Sequence, residues 1–285
     1  IMNRVTETLG DLYEMHWPYK QHDTSRNQKL LPYHDELKKI GACFGQSGEY
    51  ERPMWYALDK TKSNYEYSFN YQNWYPSVEQ ECKNTVENVG LFELSPFSKY
   101  EIKGEKAHEE LQKLCTANIK NIIGKCTYTQ MLNEVGGIET DLTVVCIDRN
   151  YFRIISSAST RAHDRAHIVK NLSKEVEFRD VTDELVCLGV FGPKSRDLLQ
   201  KISSENLSNE KFKFGTGKYI KLGFINIWMQ RLSYVGELGY ELYIKNDDAL
   251  EVYNLIVNTG AEFQMSHCGA HTMDVMRMES GFLHW

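Results

Sequence analysis

Two β-prone runs, Leu142–Ile147 and Tyr151–Ile155, are separated only by Asp148-Arg149-Asn150. A connection that short can join neighbouring strands only as a hairpin, because parallel neighbours need a crossover of a dozen or more residues. This hairpin therefore excludes an all-parallel sheet. Tyr100-Glu101-Ile102-Lys103, closed by Gly104, and Tyr240-Glu241-Leu242-Tyr243-Ile244, ended by Asn246-Asp247-Asp248, read as further strands. Helical periodicity appears between them: Ala107, Leu111 and Leu114 form one apolar stripe, and Ala249, Val252, Tyr253 and Ile256 a second. Asp247 and Asp248 are candidate N-caps for the second helix, and Gly192-Pro193-Lys194-Ser195-Arg196 starts a third with Pro193 in its first turn. The expectation is an α+β fold of mainly antiparallel sheets with flanking helices.

Charge and composition narrow the partners. The 285 residues carry 33 basic against 39 acidic side chains, a net charge of −6, which argues against sequence-independent nucleic-acid binding. No apolar run approaches the roughly 20 residues needed to cross a bilayer, and the first residues show no signal-peptide pattern. Neither nucleic acid nor membrane is an expected partner. Seven cysteines, odd in number and without a C-x-x-C pair, read as free buried thiols in a reducing, cytosol-like or matrix-like compartment.

Three stretches differ in character. Residues 1–62 are rich in Pro and aromatic residues with little periodicity, and read as an irregular layer packed against something else. Residues 63–178 and 179–285 each alternate strands and short helices, a pseudo-repeated layout without a clear sequence repeat. Beginning at Ile1 and ending at Trp285 inside patterned sequence, the chain reads as a piece of something longer.

Two runs carry the chemistry. In Tyr128–Val144, the adjacent Gly136 and Gly137 allow a tight turn, and Asp141 stands at the mouth of an apolar strand. In Arg231–Tyr243, Gly236 and Gly239 bracket Glu237, whose carboxylate there can accept two parallel hydrogen bonds from an amino-heterocycle edge. On pattern alone both read more readily as structural surface turns with solvated or capping acids. His163 and His167 have an i,i+4 spacing compatible with a metal, but Arg161, Asp164 and Arg165 around them suggest an exposed helix face. His267, Cys268 and His271 form a similar set without a fourth ligand. No Rossmann fingerprint, Walker sequence or nucleophile elbow is present.

Taken together, Gly136-Gly137-Ile138-x-x-Asp141-Leu142 followed by Tyr234-x-Gly236-Glu237-x-Gly239-x-Glu241 resembles the aminomethyltransferase family of the glycine cleavage system T-protein. The resemblance extends through Val89–Ser95, Phe191–Arg196 and Met276–Glu279, covering about residues 65–285. Gly41–Gly45 and Tyr50–Trp55 are similar to the linker preceding this module in FAD-dependent dimethylglycine and sarcosine dehydrogenases, and Tyr71–Trp74 and Glu81-Cys82 resemble those fusions more than the free-standing T-protein. The resemblance thus implies residues 1–62 as the central segment of an FAD-dependent oxidoreductase. Residues 63–285 become a folate-binding module lacking its C-terminal barrel.

By that resemblance the ligand is tetrahydrofolate, which traps an iminium or formaldehyde unit from an N-methyl amine as 5,10-methylenetetrahydrofolate. FAD is implied in the N-terminal half of the full-length enzyme, in cis. Asp141 matches the carboxylate beside the folate nitrogens, and Glu237 the acid on the amino edge of the pterin. Phe97, Tyr128 and Ile155 match the pocket walls. Tyr234 and Arg277 are implied neighbours, Arg277 meeting an anionic group or pairing with Glu279 or Glu237. Thr140 replaces the first of the paired acids of the T-protein, and Met273 stands where it has an Arg. The alternatives are a free-standing aminomethyltransferase and a non-catalytic folate-binding relative. The implied location is cytoplasmic, or the mitochondrial matrix in a eukaryote.

Overall fold

The computed structural model describes residues 2–285. Helices α1 (Met2–Asp11) and α2 (His34–Lys39) precede a hairpin of β1 (Ala42–Ser47) and β2 (Tyr50–Tyr56). Helix α3 (Tyr75–Glu87) leads into β3 (Val89–Glu93) and β4 (Ser98–Lys103), and α4 (Ala107–Leu114) into β5 (Cys126–Leu132), β6 (Ile138–Asp148) and β7 (Tyr151–Ser156). Then come α5 (Arg161–Asn171), β8 (Glu177–Asp180), β9 (Leu185–Phe191), α6 (Ser195–Ile202), β10 (Gly217–Leu222) and β11 (Ile225–Gln230). The chain closes with β12 (Gly239–Lys245), α7 (Asn246–Gly260), β13 (Met265–Cys268) and α8 (Ala270–Glu279).

The expected hairpin is β6–β7, its turn carried by Asn150 in the left-handed region at φ 56°. The Gly-Gly turn joins β5 to β6, with Gly136 at φ 84°. Two sheets result, ordered β10-β11-β12-β9-β3-β13 and β5-β6-β7-β4-β8, with β1-β2 apart. Every named pairing is antiparallel except β13 on β3, so the α+β, mainly antiparallel expectation holds, and no closed barrel is formed among the described residues. The two halves are not independent repeats: β3, from the first, pairs with β9 and β13 of the second.

Side-chain alternation explains the layering. In β9, Val186, Leu188 and Val190 pack outward against α6 and α7 with Leu198, Leu199 and Val252. Cys187 and Phe191 point the other way, toward Val145, Ile147, Trp228 and Tyr243 between the sheets. In β6, Leu142, Val144 and Cys146 cover α4 and α5 together with Leu111 and Ile168. The order is therefore helices, sheet, sheet, helices, and each fully buried aliphatic side chain contributes about 1.5–3 kcal/mol. Backbone bonds stitch the sheets along one edge: Gly217 N–H donates to Gly124 O at 2.7 Å, and Cys126 N–H to Gly215 O at 3.0 Å.

Three local expectations change. Residues 1–62 are more regular than their composition suggested: β1–β2 forms a hairpin whose Cys43 and Trp55 pack on Trp74 and Val78. Helix α6 begins at Ser195, after Pro193, because Gly192 at φ 124° still turns the chain there. Asp247 and Asp248 lie inside the first turn of α7 without a capping bond, where they favour the positive end of the helix dipole. The cysteines are free, as expected, and all but Cys82 are buried.

Candidate functional site

Asp141 sits within β6, four residues in, and not at the strand mouth. The alternation that buries Leu142 and Val144 under the helices turns Asp141 and Thr143 toward the other sheet. Across the strands, Tyr128 pairs with Thr143, and Thr143 with Ile155, so Tyr128 and Ile155 share that face. Gln130 pairs directly with Asp141, and its Nε2 donates to Asp141 Oδ1 at 2.9 Å. Partial desolvation and a hydrogen bond with the Asp141 carboxylate push the Tyr128 phenol up to about 12. Its ring is 62% exposed, available as a stacking surface.

The facing wall is the loop between β11 and β12. Gly236 holds φ 78° there, and a β-carbon on it would lie 2.1 Å from Ser280 Oγ, so the loop closes on the end of α8 only with glycine. Tyr234 stacks on Phe282 (centroids 5.8 Å apart, planes at 15°) and donates to Leu283 O at 2.9 Å. Its phenol is raised by desolvation; Arg277 opposes this, while Asp141 and Asp274 add to it, so Tyr234 is the common neighbour of both walls. Glu237, three residues on, is half-buried, and desolvation raises its carboxyl above the usual range. No donor among the described residues satisfies it.

Phe97 lies in the link from β3 to β4, half-buried and packed on the same inter-sheet core as Ile155 and Tyr234. Lys99 fixes that link: its Nζ donates to Ser95 O and Phe97 O at 2.8 Å each. The side chain is wholly buried with no carboxylate paired, and desolvation brings its ammonium down to about 8. Arg277 meets neither Glu279 nor Glu237. Its Nε and Nη2 grip Asp274 Oδ1 at 2.7 Å, one helical turn back, since i,i+3 partners on α8 lie side by side.

The structure thus gathers Asp141, Tyr128, Ile155, Phe97, Tyr234 and Arg277 about the inter-sheet space, and sets Glu237 in the loop that carries Tyr234. Sequence reasoning missed Gln130, Asp274 and Lys99. Only the strand register could have exposed Gln130, and nothing in the pattern marks Lys99. The cavities of about 340 and 510 Å³ elsewhere on the molecule include none of these side chains.

The histidine pairs resolve into other roles. His163 Nε2 meets Glu139 at 3.0 Å on the surface, but Asp164 is fully buried and accepts from Thr160 Oγ1 at 2.8 Å, so that helix face is not wholly exposed. His267 bonds the Tyr253 hydroxyl at 2.9 Å and His271 the Tyr65 hydroxyl at 2.7 Å, while Cys268 packs on Thr85; the three serve separate neighbourhoods. Glu7, Asp11 and His22 also converge, but Lys20 Nζ lies on Asp11 at 2.9 Å and Glu7 accepts from Thr24 N–H at 3.0 Å.

The chain is thus a mainly antiparallel α+β fold that brings acidic and aromatic side chains together between its two sheets. The family model for the GCVT N-terminal domain matches residues 33–285, and the chain belongs to that family. It is 38% identical over 282 residues to 4-methylaminobutanoate oxidase (formaldehyde-forming) of Paenarthrobacter nicotinovorans, covering 99% of this chain and 34% of that protein. It is 36% identical over 285 residues to mitochondrial dimethylglycine dehydrogenase of Rattus norvegicus, covering 99% and 33%. The chain thus spans about a third of the length of these relatives. Its fold matches the glycine cleavage system aminomethyltransferase T of Bartonella henselae, with a TM-score of 0.74, 23% identity, and 90% and 63% of the two chains covered. No helix among the described residues is long and apolar enough to cross a membrane.

Proposed function

We propose that this chain is the tetrahydrofolate-binding module of a demethylating flavoenzyme of the dimethylglycine or sarcosine dehydrogenase type. It captures an iminium or formaldehyde unit drawn from an N-methyl amine as 5,10-methylenetetrahydrofolate. The observation that carries this reading is Asp141, held by Gln130 beside the Tyr128 phenol on the face that Ile155 shares, together with Glu237 left without a donor in the loop that carries Tyr234. A flat amino-heterocycle fits such a set: rings and aliphatic groups cover its faces, and carboxylates accept from its N–H edge.

Bound tetrahydrofolate supplies the nitrogens that take up the one-carbon unit. Glu237 accepts from the amino edge of the pterin and fixes its orientation. Asp141, held by Gln130, removes a proton as the carbon–nitrogen bond forms and stabilises adjacent positive charge. Phe97, Ile155 and Tyr234 keep bulk water from the reactive carbon. FAD is assigned to a partner domain in cis, outside this chain, where the amine is oxidised. The names of relatives carry "mitochondrial", which supports the matrix as the location in a eukaryote.

Anaerobic calorimetric titration of tetrahydrofolate into the wild-type chain and Glu237→Ala tests the reading. Saturable binding, weakened about tenfold or more by the substitution, is expected from loss of a buried charge-assisted pair. No binding by a folded wild type defeats it.

A further inference from the structure

Arg52 lies on β2, in the stretch preceding the site, yet its side chain ends at the pocket wall. The guanidinium carbon is 5.7 Å from the centroid of the Phe97 ring. Nε donates to Glu93 O at 3.0 Å, and Nη2 reaches only Met273 Sδ, at 3.8 Å. Thioether sulfur is a weak acceptor, and among the described residues no carboxylate lies within ion-pair reach of this guanidinium. The nearby Glu93 carboxyl is turned to the Tyr33 hydroxyl and Ser95 N–H, and Asp274 is held by Arg277. By contrast, Arg26, Arg153, Arg161 and Arg277 each bind an acid.

A half-buried guanidinium without a directly paired carboxylate is costly: desolvation disfavours its charge, Glu93 and Asp274 offset this only from beyond ion-pair distance, and the groups it touches are neutral. Its planar fork matches a carboxylate through two parallel N–H bonds, and here the Nη edge is engaged only by sulfur. The ring of Phe97 beneath it restricts the guanidinium plane and so preorganises that edge.

We propose that Arg52 is the carboxylate-recognition residue of this pocket, receiving a ligand carboxylate beside Phe97. The inference rests on the reading of the pocket as a folate site and adds a second recognition point to it. Two carboxylates are chemically equivalent here: that of the glutamyl tail of folate, and that of the N-methyl amino acid supplying the one-carbon unit.

The experiment measures dissociation constants for wild type, Arg52→Gln and Arg52→Lys, each first checked for folding by circular dichroism. Matched ligands are tetrahydrofolate against 6-methyltetrahydropterin, which lacks the tail, and sarcosine against dimethylamine, which lacks the carboxylate. Arg52→Gln is expected to weaken a carboxylate-bearing ligand by about tenfold to a hundredfold while leaving its carboxylate-free partner unchanged. Arg52→Lys keeps the charge but loses the fork and falls between, which supplies the readout if the glutamine variant is unstable. A selective loss on tetrahydrofolate assigns the tail, and a selective loss on sarcosine assigns the amino acid. Equal affinities in wild type and variants overturn the proposal, as does equal weakening of both members of a pair, which means that Arg52 only shapes the wall. If wild type binds neither pterin, the folate reading fails and this inference with it; if it binds both and only the Arg52 selectivity is missing, this inference alone fails.

Discussion

Gln130 holds Asp141 from directly across the β5–β6 ladder, donating to Oδ1 at 2.9 Å, while the Tyr128 phenol lies beside the same carboxylate. A carboxylate held by neutral neighbours is oriented without being tied up in an ion pair, which is what a proton acceptor at a binding wall requires. Substituting Asp141→Ala is expected to lower the rate of formaldehyde condensation with tetrahydrofolate by about a hundredfold or more, with little change in thermal midpoint. Gln130→Leu should lower it by about tenfold, as the loss of one hydrogen bond to a charged group does. Stopped-flow kinetics check both, and a wild-type rate in Asp141→Ala removes this residue from the mechanism.

Glu81 supports the site from a distance. From α3 it accepts from Tyr56 N–H and Gly269 N–H, each at 2.8 Å, and from the Thr272 hydroxyl, tying β2 and the first turn of α8 together. Glu81→Ala leaves three donors without a partner in a nearly closed environment and should cost about 3 kcal/mol or more in urea unfolding. Because α8 carries Asp274 and Arg277, ligand affinity should fall with it. An unchanged unfolding midpoint would mean that water replaces the carboxylate.

Acid sensitivity follows from two histidines. Burial brings both His267 and His271 down to about 4, from an ordinary value of about 6.5. Between those values the unfolded chain binds more protons than the folded one, so their contribution is present above pH 6.5 and is lost as pH falls toward 4. Glu81 acts with the opposite sign. Burial raises it to about 7, so its contribution is full below about 4.5 and fades as pH rises through 7. One carboxyl offsets the two histidines only in part. The double variant His267→Gln/His271→Gln should therefore gain stability relative to wild type as pH falls from 6.5 to 4.5, read from urea midpoints at each pH. Parallel curves for the two proteins would contradict the burial argument.

Local sequence was enough for the strands that form hairpins. The β6–β7 turn and the Gly136-Gly137 turn are encoded by residues adjacent in the chain, and alternation alone sent Leu142 and Val144 to one face and Asp141 to the other. The stripes of α4 and α7 were equally legible, because a helix face is a sum of local spacings. The ordered glycine and acid motifs also marked the family before any coordinates did.

Tertiary structure decided what joins across the chain. That β3 leaves its own half to pair with β9 and β13 depends on which strand edges remain open, a property of no single segment. The partner of Arg277 was settled by the pitch of α8, which sets Asp274 beside it and leaves Glu237 to the loop. No sequence signal marks Lys99, and the family-like stretch that holds Arg52 does not reveal its role, since both depend on carbonyls and a ring brought close only by folding. Alternation along a strand says which way a side chain points; what it meets there is fixed by the packing of one sheet on the other.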